Sequence, residues 1–166
     1  MWAAILEKFS DSPSQTIIIR FLLENGFGVN EEGRIVCNGI EIPATHIGKV
    51  TKTDRRVVDA TAKRILAIPQ IKEIFMNLRA TPDLSNVAEH MGLSVITIYP
   101  KDAGQKGIVG AAVEVLSRFD LSIRQIFVTD SQLSEDPKLV IIVEKNPPAI
   151  VYEELRQLPQ IRKIII

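Results

Sequence analysis

Two stretches of this sequence hold residues whose types and spacing suit them to chemistry. The first is the glycine-rich turn Lys101-Asp-Ala-Gly-Gln-Lys-Gly107, entered by the apolar run Leu93-Ser-Val-Ile-Thr-Ile-Tyr99. A helical pattern leaves it: Ile108, Ala111, Ala112, Val115, Leu116 and Phe119 recur at three- and four-residue intervals, so one helical face is apolar from end to end. A strand, a glycine turn and a helix start leave backbone N–H groups free around Gly107, Ile108 and Val109, at the positive end of a helix dipole. That is a natural seat for a carboxylate or a phosphate, beside the Asp102 carboxylate. The competing reading of Gly104 and Gly107 is a tight strand-to-helix turn that binds nothing.

The second stretch is basic. Residues 1–33 carry two basic and five acidic side chains, residues 34–79 nine and four, and residues 80–166 nine and eleven. Within the middle segment, Lys49, Lys52, Arg55, Arg56, Lys63 and Arg64 lie in a pattern that resembles a helix-turn-helix. Pro43 and Ala44 start a short helix with Ile47 and Val50 inward, Thr51 to Thr53 form a polar turn, and Asp54 opens a second helix. On that second helix Val58, Ala62 and Ile65 fall together, while Arg56, Asp59, Ala60 and Lys63 fall opposite. Cations on the turn and outward face are where phosphate and base contacts would form, so Lys49, Lys52, Thr53, Arg55, Arg56 and Lys63 are candidate DNA contacts. An ordinary solvated surface is the bland alternative, and Asp54 and Asp59 weaken the local charge.

Catalytic chemistry finds little to stand on. His46 and His90 are the only histidines, and neither has a serine or cysteine partner at a compelling spacing. Cys37, beside Asn38-Gly39, reads as a small apolar group, and Glu153-Glu154 as a solvated helix face. A lone cysteine permits no intramolecular disulfide and no thiolate-rich metal site. No catalytic residue, metal ligand or cofactor is therefore expected, and the chain does not read as an enzyme. Its 20 basic and 20 acidic side chains balance, so the whole molecule advertises no affinity for nucleic acid or membrane. No apolar run approaches membrane-spanning length and the first residues lack a signal-peptide pattern, which leads to the expectation of a soluble cytoplasmic protein without membrane partners.

The elements that position these residues follow in order. Met1 to Phe9 reads as a short helix, and Ser12-Pro13 begins another with Ile17, Ile18, Phe21 and Leu22 inward, ending at Asn25-Gly26. Arg34 to Cys37 and Ile40 to Ile42 form a hairpin on Asn38-Gly39. Ile71 to Leu78 is expected to be a strand joining that hairpin, which would give a winged-helix-like module over residues 1–82. Residues 83–92 are expected to be a helical linker. Residues 93–166 then read strand, helix, strand, strand, helix, strand, which folds into a four-stranded antiparallel sheet with two helices on one face, the ferredoxin-like βαββαβ plan. The fold class is thus α+β. The octet Ile68-Pro-Gln-Ile-Lys-Glu-Ile-Phe75 echoes Leu158-Pro-Gln-Ile-Arg-Lys-Ile-Ile165, as two helix-to-strand junctions would. The second strand of the later half, Ser122 to Val128, falls at a sheet edge and needs a covering partner.

Residues 93–166 have no paired cysteines for metal carriage, and for RNA reading Leu139 to Val143 is wholly aliphatic while the first strand offers only Tyr99. What the segment resembles throughout is the ACT domain, a regulatory module that binds amino acids. Asp102 and Gly107-Ile108-Val109 fit the family's loop, and Leu121-Ser122-Ile123 fits its helix-to-strand corner. Lys106 stands where the family has proline, the loop is about two residues longer, and Ser122 replaces a frequent asparagine. The resemblance implies a homodimer through paired sheet edges. It also implies a free amino acid bound near Asp102, Gly104, Gly107, Ile108, Val109, Ser122 and Ile123, where one loop meets the neighbouring subunit's corner. The whole chain resembles the archaeal family of predicted amino-acid-metabolism regulators that place a helix-turn-helix-like half before an ACT domain. The function implied is ligand-responsive DNA binding; the alternative is an amino-acid sensor subunit, without DNA binding, whose N-terminal half docks on a metabolic enzyme.

Overall fold

The computed structural model describes residues 2–166, an α+β chain with seven α-helices and two antiparallel sheets among those residues. The chain divides between Pro82 and Asp83 into two compact units. No described helix is long and apolar enough to cross a membrane.

The first unit runs α1 (Trp2–Glu7), α2 (Pro13–Asn25), β1 (Gly28–Val29), β2 (Ile35–Cys37), β3 (Ile40–Glu41), α3 (Ala44–Thr51), α4 (Arg55–Ala67) and α5 (Pro69–Asn77). Pro13 sits in the first turn of α2, where its missing N–H is not needed, and Gly26 ends the helix with φ +67°. The three short strands lie in the order β1-β2-β3, turned at Asn38 (φ +50°) and Gly39 (φ +88°). Asn38 also ties down the end of the unit: its Nδ2 donates to the Ala80 carbonyl and its Oδ1 accepts from the Ala80 N–H, each at 3.0 Å.

Three expectations fail in this unit. Residues 71–78 are not a strand: Pro69–Asn77 is helix α5, and the third strand is instead Gly28–Val29. The reason is spacing. Ile71 and Phe75 lie four residues apart, both are buried, and Pro69 supplies a helix start. Gly28 lets α5 come close to β1, since a Cβ there would stand 2.5 Å from the Phe75 carbonyl oxygen. Val50 does not face inward either; it is 66% exposed on the outer side of α3, as is Ile17 (49%) on α2, where Ile18, Ile19 and Leu22 take the core instead.

The second unit runs β4 (Ser94–Pro100), α6 (Ile108–Arg118), β5 (Ile123–Val128), β6 (Leu139–Val143), α7 (Ala149–Gln157) and β7 (Ile161–Ile165). Its sheet has the order β5-β6-β4-β7, every neighbour antiparallel. All five residues of β6 are buried, because the strand is central and covered on both faces. On one side Leu139, Ile141 and Val143 join Ile96 and Ile98 under Ala112, Val115 and Leu116 of α6 and Val151 and Leu155 of α7. On the other, Val140 and Ile142 pack with Ala88, Leu84 and Leu93.

That second covering layer is the expected helical linker, and it is not a helix. Residues 83–92 form turns with one short 3-10 stretch, Glu89–Met91, ended by Gly92 (φ +71°). Asp83 Oδ1 accepts from the Ser85 N–H at 2.8 Å and from Ser85 Oγ at 2.6 Å, and the Leu84 N–H donates to Gln125 Oε1 at 3.0 Å. Such local side-chain bonds satisfy the backbone in place of helical ones.

Candidate functional site

In the basic stretch, α3 and α4 pack together at a tight turn. Gly48 is buried, and a Cβ there would lie 2.7 Å from the Thr53 carbonyl oxygen, so only glycine lets the helix and turn close. The Thr53 N–H donates to the Gly48 carbonyl at 2.9 Å, and Lys52 caps α3 in the left-handed region (φ +55°). Asp54 caps α4 by accepting from the Arg56 N–H at 2.7 Å. Val58, Ala62 and Ile65 are buried, which turns the opposite side of α4 to solvent.

Lys49, Lys52, Arg55, Arg56 and Lys63 are all exposed, and among the described residues none has a carboxylate within ion-pair distance. Thr53 is half-buried and shares its hydroxyl with that of Thr51 at 2.9 Å, so it serves the turn. Arg64 leaves the cluster altogether. Its guanidinium pairs with Asp11 at 2.9 Å, donates to the Lys8 carbonyl at 2.6 Å and to Gln15 Oε1 at 2.9 Å, and lies over the Phe9 ring at 4.8 Å. Nothing in the sequence separates Arg64 from Lys63 except one position of helical rotation.

In the second unit, Gly107 begins α6 with φ +87°, a conformation that L side chains rarely adopt, although open space surrounds it. Gly107, Ile108, Val109 and Gly110 line a cleft of about 160 Å³ whose other wall is Val128, Pro137, Lys138 and Leu139. Its chemistry is that of a small anion-accepting recess: a helix N-terminus, one ammonium group and apolar sides. Asp102 is exposed outside this lining; its Oδ1 accepts from the Gly104 N–H at 2.8 Å and so braces the loop. Lys138 was not legible as a site residue, since nothing distinguishes it from any lysine flanking an aliphatic strand.

Ser122 and Ile123 lie elsewhere. They stand at the start of β5, beside Glu144, whose N–H donates to the Ser122 carbonyl at 3.1 Å, whereas the cleft is reached by Val128 at the other end of the strand. Five residues of strand separate the two, roughly 17 Å. A single chain does not bring them together. His46 and His90 are exposed, Cys37 is half-buried, and among the described residues no three His, Cys, Asp or Glu side chains gather as a metal site requires. No protein-family model matches the chain, and a search of curated proteins returns no match.

Proposed function

We propose that this chain is a ligand-responsive regulator of amino acid metabolism. Residues 93–166 act as an ACT domain that binds a free amino acid, residues 1–82 act as a helix-turn-helix-like DNA-binding half, and the protein works as a homodimer. The observation that carries the reading is the strand order β5-β6-β4-β7 with α6 and α7 on one face, which is the order the ferredoxin-like plan calls for. It leaves β5 as an edge strand, open to pairing with a second copy. In such a pair, the Ser122 corner of one copy has a route to the Gly107 turn of the other that it lacks within one chain. The unpaired cations of α3 and α4, with Arg56 and Lys63 opposite the buried stripe of Val58, Ala62 and Ile65, support the DNA reading. Amino acid binding would act by changing the relation of two reading helices.

A thermal-shift screen of the common amino acids tests the ligand half, because stabilisation grows with ligand concentration over dissociation constant. At least one amino acid at millimolar concentration is expected to raise the midpoint, and none doing so removes the sensor role. A second reading, an amino-acid sensor subunit whose N-terminal half docks on a metabolic enzyme, is favoured by two exposed apolar side chains in that half, Ile40 (73%) and Val50 (66%).

A further inference from the structure

At the end of the second unit's sheet away from the Gly107 turn, four segments close on a cavity of about 400 Å³. Ser94 opens β4, Asn146 precedes α7, Tyr152 lies on α7, and Glu89 comes from the 3-10 stretch; Leu93 and Val95 supply an apolar wall. Ser94 is buried, and its Oγ donates to Asn146 Oδ1 at 2.5 Å, which leaves the Asn146 amide Nδ2 as a donor turned away from Ser94. Asn146 does not cap α7, whose N-cap is Pro148. Among the described residues neither Asn146 Nδ2, the Tyr152 hydroxyl nor the Glu89 carboxylate has a protein partner. The Tyr152 phenol is protonated and able to donate at neutral pH, and burial raises it further above its ordinary value.

Two neutral donors and one carboxylate in the same cavity form a set with a definite complement. Asn146 Nδ2 and Tyr152 Oη match the two oxygens of a carboxylate, Glu89 matches an ammonium group, and the apolar wall matches an aliphatic chain. The volume falls in the range of about 300–1,000 Å³ typical of small-molecule sites. We infer that this cavity is a binding site, separate from the Gly107 cleft, for a small zwitterion with an aliphatic side chain. Its carboxylate would lie between Asn146 and Tyr152 and its ammonium group against Glu89. The inference stands independently of the cleft, because no residue is shared between the two linings.

The test is a titration of the isotope-labelled full chain with L-leucine, L-leucinamide and 3-methylbutylamine, followed by NMR. Leucine is expected to shift the Asn146 side-chain amide and the Tyr152 ring saturably, and the two compounds lacking a carboxylate to bind about tenfold or more weakly. Asn146→Leu and Tyr152→Phe should each weaken leucine binding by about tenfold, while Glu114→Ala, exposed on α6 and outside both linings, leaves it unchanged. If a variant loses its dispersed spectrum, Glu89→Gln, at an exposed position, serves in its place and should weaken leucine similarly. The proposal is overturned by the absence of any saturable shift at Asn146 and Tyr152, by equal binding of the amine, or by variants that bind as the parent does. Shifts confined to the amides of Gly107 to Gly110 would overturn it while supporting the cleft.

Discussion

Gly48 governs the turn between α3 and α4 through a group it lacks. Because a Cβ would press on the Thr53 carbonyl at 2.7 Å, and backbone cannot swing aside as a side chain can, Gly48→Ala should destabilise the first unit by about 1–3 kcal/mol despite alanine's better helix propensity. Chemical denaturation measures this, and an unchanged midpoint would mean the turn is not closed as described. Neighbouring Lys63 and Arg64 should behave as opposites. Arg64→Met removes a guanidinium bonded to three partners and stacked on Phe9, and is expected to lower stability by about 1–3 kcal/mol. Lys63→Met, at an exposed site, should leave stability within about 0.5 kcal/mol. Tyr152 predicts a pH effect. Its phenol is raised above 10.0 by burial, so its contribution is fully present below that value. As pH rises further the unfolded chain releases its proton first, and stability falls until the folded phenol also ionises. Denaturation midpoints from neutral to alkaline pH should show this decline, and Tyr152→Phe should flatten it.

At the scale of elements, two nearly identical octets adopt different structures. Ile68 to Phe75 runs from the end of α4 into α5, whereas Leu158 to Ile165 turns into β7. In the first, Ile71 and Phe75 find a shared buried face at a four-residue interval beside β1; in the second, Ile164 and Ile165 pair with Ile98 and Thr97 of β4. Local sequence is common to both, and the surroundings decide. This is why residues 71–78 carry a strand-like pattern yet fold as a helix, while α6 and β6, whose apolar patterns are long and unambiguous, are legible to within a residue or two. The helix expected at 83–92 failed for another reason: Asp83 and Ser85 bond to their own backbone, and Ala88 is held by the sheet, neither of which a helical pattern reveals. The Gly107 turn was readable from its glycine and the helix beyond; Lys138, brought to it by the β5–β6 connection, was not. If α5 owes its place to Phe75, Phe75→Ala should lower the stability of the first unit by about 3–5 kcal/mol. A loss much smaller than that would argue against the helix packing on β1.

At the scale of the whole molecule, the proposed function would have the edge strand β5, the Gly107 cleft and the cationic face of α4 serve as one regulatory device. Its central claim is that DNA binding through α4 answers to an amino acid bound in the second unit. The measurement that bears on it most directly is a fluorescence-anisotropy titration of genomic DNA fragments with the full chain, at several salt concentrations, with and without the amino acid that stabilises it. Under the proposed function, binding should weaken steeply with salt, because each neutralised phosphate releases counterions. Affinity should change by about fivefold or more when the amino acid is added, and binding should be lost in the exposed-face variant Arg56→Glu/Lys63→Glu while its amino acid binding and fold persist. Salt-insensitive binding, an affinity indifferent to the amino acid, or a double variant that binds as the parent does would contradict it.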